Sequence, residues 1–141
     1  MIVREMTLED AKQTTSLANQ LGYSVPEESV TAHIKEIAAH SDHFIFVAIL
    51  DNRVIGFIHG CRMLRLTSLP FLEICGLVVS IEHRREGIGK KLVRHLETFS
   101  ENMPVRVRCN IKRTSAHEFY QHLGYSEKKE QKVFIAQRSA G

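Results

Sequence analysis

Seven consecutive apolar residues, Phe44-Ile45-Phe46-Val47-Ala48-Ile49-Leu50, constrain the fold more than any other feature of the chain. The run is too short to span a bilayer. It has no polar alternation, so it reads as a strand covered on both faces. Asp51-Asn52-Arg53 supplies a turn, and Val54 to Cys61 reads as the returning strand of a hairpin. Leu72 to Val79 is a third strand, rich in branched apolar residues. Segments of helical period lie on either side. Ala11, Ala18 and Leu21 mark a helix that opens at Thr7-Leu8-Glu9-Asp10, a capping-box pattern, and closes at Gly22. Val30, Ile34, Ile37 and Ala38 mark a second helix, with Pro26 in its first turn and His33 at the edge of its buried stripe. Ile88, Leu92, Val93, Leu96 and Phe99 mark a third, ended by Pro104.

The remaining strands are shorter. Ile2 and Val3 open the chain. Val105, Val107 and Cys109 alternate with Arg106, Arg108 and Asn110. Ala116, Phe119, Tyr120 and Leu123 fit a fourth helix closed by Gly124, and Val133 to Ala136 read as a final strand. The order is β-α-α-β-β-β-α-β-α-β. Adjacent strands pair as an antiparallel meander, and the strand–helix–strand unit from Leu72 to Asn110 makes a right-handed crossover between parallel strands. The expected fold is α/β, with a mixed antiparallel and parallel central sheet flanked by helices. All 141 residues fit one domain, 1–141.

Composition excludes several function classes. A hydrophobic share of 43% and charged share of 25% exclude disorder and coiled coil for the whole chain. The N-terminal MIVREMTLED carries acids where a signal peptide is apolar, which points to the cytoplasm and away from a membrane. A net charge of +3 without a basic stripe argues against nucleic acid. Arg106, Arg108 and the Lys128–Lys132 cluster lack the interleaved aromatics of a single-strand binder. Cys61, Cys75 and Cys109 show no CxxC spacing and sit in apolar stretches, so neither a disulfide framework nor a metal site is expected.

The chemistry concentrates at Arg84-Arg85-Glu86-Gly87-Ile88-Gly89, between a strand and a helix. Glycines allow a tight turn and close backbone approach. Free N–H groups at a helix start attract phosphate, and Arg84, Arg85, Lys90, Lys91 and Arg94 add positive charge. A diphosphate suits this place. A P-loop is absent, and the third Rossmann glycine is replaced by Leu92.

Arg84, Gly87 and Gly89 match the Gln/Arg-x-x-Gly-x-Gly/Ala signature for acetyl-CoA in the GNAT superfamily of N-acetyltransferases, which the chain resembles. Ala116-His117-Glu118-Phe119-Tyr120-Gln121-His122-Leu123-Gly124-Tyr125 is similar to that family's Ala-x-x-x-Tyr-x-x-x-Gly-Phe/Tyr ending. The element order agrees over nearly the whole chain.

The resemblance implies acetyl transfer from acetyl-CoA, as co-substrate, to a primary amine of a small molecule or protein. The amine attacks directly in a ternary complex, with no metal. Leu77, Val78 and Val79 would bond the pantetheine arm through their backbone, and an N–H of Val78 or Val79 would polarise the thioester carbonyl. The N–H groups from Arg85 to Lys90 would hold the pyrophosphate, with Glu86 and Ile88 in the same loop and the Arg84 side chain organising it. Tyr120 would serve the departing sulfur. Glu73, eleven residues before Arg84, stands where the histone-acetylating branch carries its base. It would take the amine proton or orient the substrate. One departure concerns the Asn that often contacts pantetheine: Arg113 occupies its position, and Asn110 precedes it. Either residue would then meet CoA. The acceptor would lie near the segment from Thr7 to His40 and the Arg62–Pro70 connection. Dimers are common in the family, so a homodimer is compatible with the resemblance. The competing reading is a non-catalytic acyl-CoA-binding or regulatory module.

Overall fold

A computed structural model describes residues 1–138. The chain forms two compact units, one from Met1 to Val107 and the other from Arg108 onward. In the first unit the strands are β1 (Ile2–Glu5), β2 (His43–Leu50), β3 (Arg53–Met63), β4 (Phe71–Val79) and β5 (Val105–Val107). They form one sheet in the order β1-β2-β3-β4-β5, antiparallel except for the parallel pair β4–β5. Helices α1 (Ala11–Gln20), α2 (Glu27–Ala38) and α3 (Ile88–Glu97) belong to the same unit. The second unit carries α4 (Thr114–His122).

The hairpin between β2 and β3 turns on Asp51 and Asn52, both left-handed, with φ of 50° and 63°. Such a two-residue turn follows the twist of the strands it joins. The first helix starts later than the sequence pattern implies. Leu8–Asp10 form a single 3-10 turn before α1. Thr7 N–H donates to Asp10 at 2.8 Å, and Arg4 adds two bonds of 2.8 Å to the same carboxylate.

The two sheet faces carry different layers. Ala11 and Leu17 of α1 and Ile34 of α2 pack with Ile45, Val47 and Val78. Leu92, Val93 and Leu96 of α3 are fully buried, and Gly56 and Gly60 of β3 are the points where α3 approaches the opposite face. A Cβ at Gly60 would stand 2.6 Å from Leu96 Cδ1, so any larger residue there would force that side chain to shift.

Two strand expectations are corrected: the strand expected to run through Cys109 ends at Val107, and the final one is absent. Val133 to Ala136 form no strand, and residues 126–138 have no regular structure. Val133, Phe134 and Ile135 are each more than two-thirds exposed. Branched residues favour a pleated, half-buried surface, but strand geometry also needs a ladder partner for each backbone group.

Candidate active site

β4 is the organising element. It pairs with β5 over three positions only, Leu72↔Val105, Glu73↔Arg106 and Ile74↔Val107. From Cys75 to Val79, β4 continues without β5 beside it. Cys75 has no partner on β3 either, because Gly60 pairs with Ile74 and His59 with Gly76. Cys75 is thus a β-bulge, which bends a strand and re-aims the residues after it.

The bulge resets the alternation of side chains. Glu73 would otherwise share a face with Cys75 and Leu77. Instead Glu73, Gly76 and Val78 share the α1–α2 face, paired with Cys61, His59 and Phe57. Ser80 donates its N–H to Ile55 at 2.8 Å. Backbone groups alternate along a strand, so Val78 also faces β3, and its backbone is turned away from the edge where the sequence reading expected it to meet pantetheine and the thioester. Leu77 and Val79 therefore direct N–H and C=O toward the open edge. Their backbone is free to bond an extended ligand as a further strand would.

The loop after β4 ends this edge. Ile81–His83 form a 3-10 turn, Arg85 is left-handed at φ 67°, and Gly87 is the N-cap of α3 at φ 79°. The first α-helical bond of α3 is Lys91 N–H to Gly87 C=O. The N–H groups of Ile88, Gly89 and Lys90 thus lack helical acceptors. Arg84, Arg85 and Lys90 are exposed and form no ion pair among the described residues, whereas Glu86 pairs with His83 at 3.0 Å. Unbonded donors, a helix dipole and three cations suit an anionic diphosphate.

Glu73 is buried, and Arg106 Nε donates to its Oε2 at 2.6 Å. The Arg106 guanidinium lies 4.3 Å from the centre of the Phe71 ring, and its Nη2 is buried without a hydrogen-bond partner among the described residues. Register places His43, Cys61, Glu73 and Arg106 in one row across β2, β3, β4 and β5. His59, in the adjacent row, has its Nε2 2.8 Å from His43 Nδ1. Sequence reading assigned these histidines no role, since only the pairing register brings them together.

The second unit holds Asn110, Arg113 and Tyr120. Asn110 Oδ1 accepts the Lys112 N–H at 2.9 Å, and its C=O accepts the Arg113 N–H at 2.9 Å. Arg113 is the N-cap of α4. Tyr120 is buried, which pushes its phenol up to about 12; Cys109 adds to the rise and Arg113 opposes it. Gly124 N–H bonds Gln121 C=O and Tyr125 N–H bonds Tyr120 C=O, with Gly124 left-handed at φ 94°. This is a Schellman cap, and it explains why a glycine and an aromatic residue follow the tyrosine at this spacing.

The GNAT acetyltransferase family model matches residues 8–125. The chain belongs to that family. As a GNAT protein it is an acetyl-CoA-dependent N-acetyltransferase. No curated protein matches its sequence. Among solved structures, it is similar to the aminoglycoside 6'-N-acetyltransferase AAC(6')-IG from Acinetobacter haemolyticus. The TM-score is 0.85 and the identity 18%, over 99% of this chain and 100% of that one. A GNAT family acetyltransferase of Staphylococcus aureus gives 0.78 and 24%, over 96% and 98%. The aminoglycoside N-acetyltransferase AAC(6')-Iy in complex with CoA gives 0.81 and 21%, over 98% and 100%. At these identities the likeness establishes the GNAT fold. Among the described residues no group of His, Cys, Asp or Glu is placed to hold a metal ion, and no helix is long and apolar enough to cross a membrane.

Proposed function

We propose that this GNAT protein acetylates a primary amine on a small molecule or protein by direct attack in a ternary complex. The parting of β4 from β5 after Ile74, next to the left-handed loop that starts α3, carries this reading. Acetyl-CoA supplies the activated acetyl group. The open edge at Leu77 and Val79 bonds its pantetheine arm, and an outward N–H, that of Val79 or Leu77, polarises the thioester carbonyl. Preorganised donors of this kind contribute several kcal/mol, on the order of 2.7–4, where charge develops. The N–H groups from Arg85 to Lys90 receive the pyrophosphate. Arg113 or Asn110 contacts CoA, as the family resemblance implies.

Tyr120 donates its phenolic hydrogen to the departing sulfur. Its raised value keeps that hydrogen in place at neutral pH. Glu73 orients the acceptor amine. Its bond to Arg106 commits Oε2 and fixes the carboxylate, which suits a strut better than a group that must take up a proton.

The test is a screen for free CoA released from acetyl-CoA across amines. The panel includes aminoglycosides, after the names of the similar structures, together with polyamines, amino acids and lysine or N-terminal peptides. Amine-dependent release with mass gain of one acetyl group on the amine is expected. Tight acetyl-CoA binding without transfer to any amine would favour a binding module instead.

A further inference from the structure

Resting on that acetyltransferase reading, we propose that His59 is the group that takes the proton from the acceptor amine, with His43 and Cys61 as positioning residues that set its tautomer. The tautomer is set at Cys61. Its Sγ donates to the Arg62 C=O at 3.6 Å, and burial, with Asp42 and Glu73 nearby, keeps the thiol protonated. With its hydrogen so directed, the sulfur faces His43 Nε2, 3.6 Å away, as an acceptor. His43 therefore carries its hydrogen on Nε2 and leaves Nδ1 bare. His43 Nδ1 lies 2.8 Å from His59 Nε2, so His59 donates from Nε2. A neutral imidazole has one donor and one acceptor nitrogen. His59 Nδ1 is then the bare nitrogen, and no described residue bonds to it.

Position makes this nitrogen useful. His59 is half-buried and stands directly across from Gly76 on the α1–α2 face. A Cβ at Gly76 would meet nothing within 4 Å, so the space over Gly76, the cross-strand partner of His59, is open. Gly76 also lies on the free edge of β4, next to Leu77, whose backbone groups point outward. An amine placed above the thioester thus meets His59 on one side and the fixed Glu73 carboxylate on the other. In the step, an R–NH3+ N–H bond breaks and an Nδ1–H bond forms on His59. The freed lone pair forms the C–N bond at the acetyl carbonyl, the C–S bond breaks, and the sulfur leaves as the CoA thiol with the hydrogen that Tyr120 supplies; the second proton of the attacking nitrogen restores the phenol. The imidazolium sheds its proton to solvent after the amide leaves.

The groups around His59 favour a neutral resting ring. Burial lowers its pKa, and His43 lowers it further. Facing this region are His43 on β2, Cys61 on β3, Glu73 on β4 and Arg106 on β5. His33 and Glu36 of α2, with His40, line a cavity of about 240 Å³ beside His43, and Asp42 precedes β2. Lys12 of α1 is exposed.

The experiment has two arms. Histidine 15N spectra of the wild type at neutral pH should show His59 with a bare Nδ1 and a protonated Nε2. Cys61→Ala should scramble that tautomer with the fold retained. In the second arm, pH–rate profiles compare the wild type with His59→Gln on the best acceptor. Loss of kcat of about a hundredfold or more at pH 7 is expected, recovering as the amine deprotonates on its own, with acetyl-CoA affinity unchanged by calorimetry. A proton on Nδ1, or a His59→Gln profile that overlays the wild type, overturns the role of His59 and leaves the acetyltransferase reading standing. Failure of the wild type to acetylate any amine overturns that reading, and this proposal with it.

Discussion

Tyr120 and Glu73 are single residues whose proposed roles separate on pH. With its phenol pushed up to about 12, Tyr120 remains a donor throughout the neutral and mildly alkaline range. Tyr120→Phe keeps the ring against Phe119 and Tyr125 but removes the hydroxyl. Its kcat should fall by roughly 10²–10⁴ with acetyl-CoA affinity unchanged. An unchanged kcat, with chemistry rate-limiting, returns Tyr120 to a packing role. The wild type should show no loss of rate from this phenol below about pH 11. Glu73→Gln leaves Arg106 without its ionic partner. Its activity should therefore drop by a similar factor at every pH, because orientation is lost and basicity is not what changed. Recovery at high pH would instead make Glu73 the base. The tyrosine was legible from its distance to Gly124-Tyr125. The Glu73–Arg106 bond was not, because two residues far apart in sequence meet only through the parallel register of β4 and β5.

Elements are held by a few identifiable contacts. The start of α1 depends on Asp10. Burial alone would raise its pKa, but the Arg4 guanidinium and the Thr7 N–H outweigh burial and hold it below the ordinary 3.8. A carboxylate with a lowered folded pKa stabilises above its unfolded value. That contribution disappears as pH falls through the folded value. Urea midpoints of the wild type should therefore drop below about pH 4, and Asp10→Ala should flatten that part of the profile. The same variant should lose about 0.5–2 kcal/mol at pH 7, as helix-capping changes do. Arg4 is too exposed to add much more. Across the sheet, Gly60→Ala should be destabilising by about 1–3 kcal/mol through overpacking against the fully buried Leu96. A chemical denaturation curve unchanged from the wild type would mean that α3 is free to shift. Helices and long strands were legible because period and capping residues act locally. The bulge at Cys75 was not. Nothing in Glu73-Ile74-Cys75-Gly76 marks an extra residue, and only the pairing of β3 with β4 exposes it.

At the scale of the molecule, the order of strands and helices followed from the sequence up to α4, because continuous apolar runs and amphipathic stretches alternate clearly there. It failed at Val133–Ala136, where side-chain preference had no ladder to act on. The candidate cofactor loop stands out in the sequence because its glycines and basic residues are contiguous, from Arg84 to Lys90. The acceptor side does not, since His43, His59, Cys61 and Glu73 come from three strands. Amide hydrogen exchange with and without acetyl-CoA probes the β4 edge and the α3 start as one cofactor site. Slowed exchange is expected at Leu77 and Val79 and from Arg85 to Lys90, with the N–H of Val78, already turned to β3, little changed. Unaltered exchange at the β4 edge and the α3 start in protein saturated with acetyl-CoA would contradict this placement.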